Sequence, residues 1–245
     1  MNYLCFVEYD GTNYFGWAIQ PNKVTVQGKI NEALSKCFNY DINVIGASRT
    51  DTHVHALNQA FNFKENRAKL SANKIKEVLN RVLPNDIRIT KVKIVNDNFN
   101  ANKNTKSKTY QYWINLDPKS KYAKAKYSHY VWNVYSKLDL KLLKTAAKKF
   151  IGKHNFLSFS KSELKNTIRT INSITISKSD SLLKININGN GFLRNMVRMI
   201  VACLIDVASH KRNIKDINKL LNNPKKGACV NLSPACGLTL YKIYF

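Results

Sequence analysis

The stretch Thr25–Phe38, TVQGKINEALSKCF, decides how the first hundred residues fold. Val26, Ile30, Ala33, Leu34, Cys37 and Phe38 recur at helical spacing, so one face is apolar and needs a sheet to cover it. Upstream, YLCFVEY (3–9) reads as a strand, and downstream INVIGAS (42–48) and ALNQAFNF (56–63) read as two more. SANKIKEVLNRVL (71–83) repeats the helical pattern, with Ile75, Val78, Leu79 and Val82 on one face and Pro84 just beyond. DIRITKVKIV (86–95) closes the series as a strand. The order β-α-β-β-α-β is that of a split βαβ, or ferredoxin-like (RRM-like), unit.

The same order returns after NDNFNANKNTKSK (96–108), which reads as a polar, nearly structureless linker. TYQYWIN (109–115) is a strand and LDLKLLKTAAKKF (138–150) a helix. IRTINSITIS (168–177) and LLKINING (182–189) form a strand pair. FLRNMVRMIVACLIDVAS (192–209) is a long apolar helix, IKDINKLLN (214–222) a short one, and GLTLYKIYF (237–245) a final strand. The expectation is an α+β protein with domains at 1–105 and 106–245. Two such halves could pair into one extended antiparallel or mixed sheet.

Charge points to the partner. Forty Lys and Arg against fifteen Asp and Glu give a formal net charge of +25, and a surplus of that size calls for a polyanion. Residues 1–105 carry 14 basic and 9 acidic residues, whereas 106–245 carry 26 and 6, so contact should lean on the second half. There Lys103, Lys106, Lys108, Lys119, Lys121, Lys124 and Lys126 interleave with Tyr110, Tyr112, Trp113, Tyr122 and Tyr127. Lysine meets phosphate and rings stack on unpaired bases, a pairing that suits nucleic acid. No stretch reaches the ~18 apolar residues of a spanning helix, so no membrane is expected. Five cysteines, odd in number and without a C-x-x-C pair, read as reduced thiols of a cytoplasmic protein.

Chemistry concentrates at SRTDTHVHA (48–56). Asp51, His53 and His55 alternate, and on an extended strand they would face one way and could hold a cation. The same residues also read as a lone carboxylate beside Arg49. The metal reading lacks a further ligand cluster, because His129, His154 and His210 stand isolated.

Further matches run along the chain in order. SRTDTHVHAL is similar to G-R-T-D-A-G-V-H-A, the catalytic segment of the tRNA pseudouridine synthase A family. YDGTNYFGW (9–17) with TVQG (25–28) resembles its opening, and KTYQYW (108–113) its K-x-Y-x-Y strand. NFLSF (155–159) and RTI (169–171) resemble its middle, GFLRNMVR (191–198) its F-x-x-x-M-V-R helix, and ACGLTL (235–240) its terminal strand. The family fold, two ferredoxin-like halves around a basic cleft with helices on one side of the sheet, agrees with the reading above. Ser48, Thr52 and His53 depart from the pattern, and a glycine at 53 would permit a conformation that histidine resists.

The resemblance implies a cytoplasmic, homodimeric isomerase acting on uridine at positions 38, 39 and 40 of the tRNA anticodon stem-loop. It implies no metal and no cofactor. Asp51 would be the catalytic carboxylate, aimed and kept ionised by Arg198. Arg49 would hold the distorted backbone around a flipped-out base. Tyr110 would stack on the uracil and could take the C5 proton, with Leu238 packing on the other face of the base. Lys108 and Arg194 would reach substrate, Arg194 sharing a helix face with Arg198 at i, i+4. Two other classes stay open. One is a metal-dependent RNA nuclease using Asp51, His53 and His55, and the other a non-catalytic RNA binder of two RRM-like modules.

Overall fold

The computed structural model describes residues 1–161 and 165–245. They form an α+β protein of two compact units, residues 1–106 with 239–245, and residues 107–238. The sequence reading placed the break at 105/106 with the whole remainder in the second half. The final seven residues instead belong with the first unit.

The first unit is built on β1 (Asn2–Tyr9), whose residues Tyr3, Cys5 and Val7 are fully buried. Helix α1 (Val26–Phe38) buries Val26, Ile30, Ala33 and Leu34, each burial being worth roughly 1.5–3 kcal/mol for the larger side chains. Thr25 caps the helix: its hydroxyl accepts from Gly28 N at 3.2 Å, satisfying a donor that would otherwise have no partner. Asn39 ends it in the left-handed region, φ 60°, donating to Ser35 O. A two-residue strand β2 (Ile45–Gly46) leads into β3 (His55–Lys64).

Helix α2 (Ala72–Val82) buries Ile75 and Leu79, while Val82, expected on the same face, is exposed at the helix's last position. Strand β4 (Ile87–Val95) follows. β1 pairs antiparallel with β3 and with β4, Cys5 facing Phe61 on one side and Val92 on the other. β2 pairs with the far end of β3 through Gly46 and Phe61.

The polar segment expected to be structureless is tied down. Asn62, buried within β3, donates to Asn2 Oδ1 at 2.9 Å and accepts from Ala101 N at 2.8 Å. Asn2 in turn donates to the carbonyls of Asn96 and Phe99, and Ala101 is fully buried. Asparagine here braces turns and does not merely solvate the chain.

The second unit runs β5 (Ser107–Asn115), β6 (Trp132–Asn133), α3 (Leu140–Lys148), β7 (Gly152–Asn155), β8 (Ile168–Ser179), β9 (Leu182–Gly189), α4 (Met196–Ala208) and α5 (Lys215–Asn222). Its sheet order is β5-β9-β8-β7, antiparallel throughout, with β6 parallel to the end of β5. Strands β6 and β7 were not expected. Asp139 caps α3 by accepting from Lys141 N and Leu142 N, both at 2.9 Å. In α4 every residue except Arg198 and Asp206 is buried, as its nearly unbroken apolar sequence requires. The last strand, β10 (Leu238–Tyr244), sends Thr239 and Leu240 to pair in parallel with His55 and Ala56 of β3. Among the described residues, no helix is long and apolar enough to cross a membrane.

Asn62→Ala removes its bonds to Asn2 and Ala101 and a third, donated to Phe99 O at 3.3 Å, at once. It should cost about 2–3 kcal/mol in urea unfolding and speed amide exchange across residues 98–105. Unchanged exchange there would show that the asparagine network does not hold the segment.

Candidate active site

Asp51 sits in a turn and not on a strand. Val54 N donates back to Asp51 O at 3.2 Å, and His53 takes φ 63°, in the left-handed region. The alternation that would align Asp51, His53 and His55 is therefore broken, and the three side chains meet different surroundings. Asp51 is half-buried, His53 exposed and His55 buried at the start of β3. Among the described residues, no group of three or more His, Cys, Asp or Glu has metal-holding geometry.

The turn rests on two glycines of the 9–17 segment. A Cβ on Gly11 would lie 2.1 Å from Val54 O, and one on Gly16 only 2.6 Å from Thr50 O. Gly16 also has φ +88°, so both its conformation and its clearance call for glycine. Thr50 is clamped from two sides: its carbonyl accepts from Trp17 N at 3.1 Å, and its hydroxyl bonds the buried Tyr9 OH at 2.8 Å. The backbone on either side of Asp51 is thereby fixed.

His53 occupies a position where L-residues are strained. Its N–H donates to Tyr14 O at 3.1 Å, and its Nδ1 lies 2.7 Å from Thr12 O. A carbonyl only accepts, so that nitrogen carries the proton. His55 Nδ1 lies 3.1 Å from both Gly11 N and Asp10 Oδ1. One ring nitrogen cannot accept from the first and donate to the second. The buried Gly11 N–H needs an acceptor, whereas Asp10 Oδ1 already receives Thr12 N and Thr12 Oγ1. Nδ1 therefore accepts, and His55 is a structural link between β3 and the 9–17 segment.

Arg49 is exposed beside this turn. In the second unit, Tyr110 is buried on β5 with its ring edge-on to Phe192 at 5.2 Å. Arg198, in the first turn of α4, donates from Nε to Ser233 O at 2.7 Å, while Ser233 Oγ donates to the Arg198 carbonyl at 2.9 Å. Gly237 lets the chain approach the Tyr112 ring, since a Cβ there would lie 2.6 Å from it, and this seats the buried Leu238. Lys108 is half-buried at the start of β5, and burial, reinforced by the charge of Arg169, pushes its ammonium down to about 8. Arg194 corrects the sequence reading. It lies before α4 begins, and Asn195 at φ 65° breaks helical continuity, so Arg194 and Arg198 do not share a helix face. A cleft of about 520 Å³ lined by Tyr40, Asn43, Ile45, Asn62 and Phe99, among others, holds none of residues 48–56.

A family model described as tRNA pseudouridine synthase matches residues 5–102 and 146–245. The chain belongs to that family. Full-length relatives named tRNA pseudouridine synthase A include one from Ureaplasma parvum, 45% identical over all of both chains. Another, from Mycoplasma genitalium, is 41% identical over 99% of this chain and 98% of its own. A third, from Thermoanaerobacter, is 41% identical over 100% of this chain and 99% of its own.

For a pseudouridine synthase, the segments matched by the family model hold Arg49, Asp51, Arg194, Arg198 and Leu238. Tyr110 and Lys108 lie in the stretch between those segments, which the full-length relatives span. Sequence reasoning missed the supports of the Asp51 turn, namely Gly11, Gly16, Tyr9 and the Thr12 carbonyl. Two of the chain's nine glycines within six residues was the available signal.

The strain at residue 53 is measurable. His53→Gly should be more stable than His53→Ala by about 1 kcal/mol, because alanine keeps the left-handed strain and loses the bond to Thr12. Turnover of the glycine variant should match wild type. Equal stabilities for the two variants in urea unfolding would show that the backbone at 53 is unstrained.

Proposed function

We propose that this chain converts uridine to pseudouridine at positions 38, 39 and 40 of the tRNA anticodon stem-loop, with Asp51 as the catalytic carboxylate. The isomerase activity follows from family membership, and the choice of nucleotides and the residue roles are our reading. The observation that carries it is the Asp51 turn, a half-buried carboxylate on a backbone fixed by Thr50 and cradled by Gly11 and Gly16.

The reaction breaks the C1′–N1 bond of uridine, turns the base and forms C1′–C5. The hydrogen on C5 leaves as a proton and N1 ends protonated, so atoms and electrons balance without a redox partner. Such chemistry asks for one carboxylate to stabilise or attack the electron-poor centre, or to remove a sugar proton. It also asks for a device that holds the base outside the stack. In this proposal Tyr110 stacks on the base, Leu238 packs on its opposite face, and Arg198 keeps Asp51 ionised. Arg49, Arg194 and Lys108 bind the RNA backbone. The anchoring of Arg198 by Ser233 supports its role, since an arginine held at Nε presents a fixed guanidinium.

The fold that accompanies this reading is a pair of ferredoxin-like halves. In its support, the first unit orders its strands β4-β1-β3 with β2 on the outer edge of β3, these pairings being antiparallel, while β10 adds a short parallel pairing to the start of β3. A homodimer in the cytoplasm completes the proposal, and sedimentation should find twice the chain mass.

Asp51→Asn should lower release of tritium from 5-tritiated uridine in tRNA by at least about a thousandfold, roughly 4 kcal/mol of transition-state stabilisation. Affinity for tRNA should stay within about twofold of wild type, since size and hydrogen-bonding reach are kept. Substantial residual turnover in the variant would remove Asp51 from the catalytic role.

A further inference from the structure

Arg169 has no role in the reading above, yet the sheet places it in unusual company. Across β5, β9 and β8, the residue at the end of β9, Gly189, faces Lys108 on one side and Ile171 on the other. Arg169 lies two residues before Ile171. Two cations therefore flank the end of β9, where the Phe192 ring packs on Gly189, 3.0 Å from where a Cβ would stand, and Gly191 adds no side chain of its own. The stem of Arg169 lies 3.6 Å from where a Cβ on Gly191 would stand. Its Nη1 donates to the carbonyls of Asn166 and Ile168, at 3.2 and 2.6 Å, so the guanidinium is fixed and does not trail into water. Asn190 pins the turn beside it, donating N–H to Thr170 O and accepting Thr170 N on Oδ1, both at 3.0 Å.

Half-burial makes this costly. Each cation depresses its own tendency to stay charged by losing water, and Lys108 feels the charge of Arg169 as well. Among the described residues, no carboxylate forms an ion pair with either. An anion placed against both would turn that repulsion into attraction. Lys108 and Tyr110 are two apart on an unbroken stretch of β5, so both project from one face. The cationic pair thus lies next to the ring assigned to base stacking.

We propose that Lys108 and Arg169 together bind a single phosphodiester of the RNA strand that carries the target uridine. The inference rests on tRNA being the substrate, and it makes Arg169 a phosphate-binding residue. Arginine gives such a contact direction through paired N–H donors, and lysine adds a point charge.

The test uses the full chain with a tRNA transcript carrying 5-tritiated uridine. Wild type, Lys108→Gln, Arg169→Gln, Arg169→Lys and the double Gln variant are compared. Affinity is measured across potassium chloride concentrations, alongside single-turnover tritium release and thermal unfolding. Each single Gln variant should bind about 5- to 20-fold more weakly and reduce the salt slope by about one. The double variant should be weaker than the worse single by no more than about threefold, because both residues serve one phosphate. Arg169→Lys should retain affinity within about threefold. Lys108→Gln should unfold at the same temperature as wild type or higher, since a buried repulsion is relieved. That variant keeps the test decisive even if Arg169→Gln does not fold. Unchanged salt slopes in Lys108→Gln, or losses that multiply fully in the double variant, would overturn the shared phosphate. If wild type releases no tritium but the binding losses appear as stated, the phosphate site stands and the pseudouridylation reading falls. If wild type releases tritium and the variants bind like wild type, the reverse holds.

Discussion

The close approach of the 11–16 segment to the 50–54 turn is the constraint on which the first unit depends. Three strand ends meet there. β1 leaves through Tyr9 and Asp10, β3 enters through His55, and β4 begins at Ile87, one residue after Asp86. Asp86 accepts on its carbonyl from Asp10 N at 3.0 Å and on its carboxylate from Tyr14 OH at 2.6 Å. Gly11 N reaches His55, and Thr50 holds both Tyr9 and Trp17. Backbone lies directly on backbone at this point, so even a methyl group would force the layers apart. The backbone at Asp51 inherits its path from that contact.

Charge and structure are kept apart in this protein. Four ion pairs among the described residues, Lys29–Glu32, Lys74–Glu77, Arg81–Glu77 and Lys219–Asp216, are contacts three or four residues along a helix near the surface, which contribute little. The interior is held by neutral groups such as Asn2, Asn62, Thr50 and the tyrosine hydroxyls. Even Glu65 bonds mainly to the chain. Burial would raise its pKa, but the Tyr40 hydroxyl and the N–H groups of Ala68 and Arg67 outweigh burial and hold it below the usual range. With forty Lys and Arg against fifteen Asp and Glu, most cations have no carboxylate to pair with and are left for phosphate. That division makes a net charge of +25 compatible with a packed α+β core.

Much of this was legible in the sequence because it is local. Helical spacing located α1, α2, α3 and α4, and the caps Thr25, Ser71 and Asp139 stand where serine, threonine and aspartate are expected. What stayed hidden is either too short or too distant. β6 and β7 span two and four residues, below the length at which alternation is readable. The pairing of Thr239 with His55 joins residues far apart in the chain, and nothing local announces it. The 96–108 segment reads as structureless because asparagine signals both solvation and turn bracing, and only the buried position of Asn62 decides between them. Arg194 was placed on a helix although Asn195, a residue that tolerates the left-handed region, follows it and ends the pattern.

His53 shows what the site asks of its sequence. The resemblance puts glycine there, and histidine is a poor substitute if side-chain freedom is the requirement. Yet the backbone takes the left-handed path regardless, with the imidazole bonded to Thr12 O and the N–H to Tyr14 O. Both acceptors lie on the segment that carries Gly11 and Gly16. A residue that resists the turn is thus held to it by the element that shapes the turn from beneath. The preserved quantity is the path of the main chain through Asp51, and glycine is one way of reaching it. Gly16 has no such alternative, because its own φ is positive and the Thr50 carbonyl occupies the space a side chain would need. The departure at His53 is therefore accommodated on the exposed side of the Asp51 turn, whereas at Gly16 backbone meets backbone and leaves no room for one.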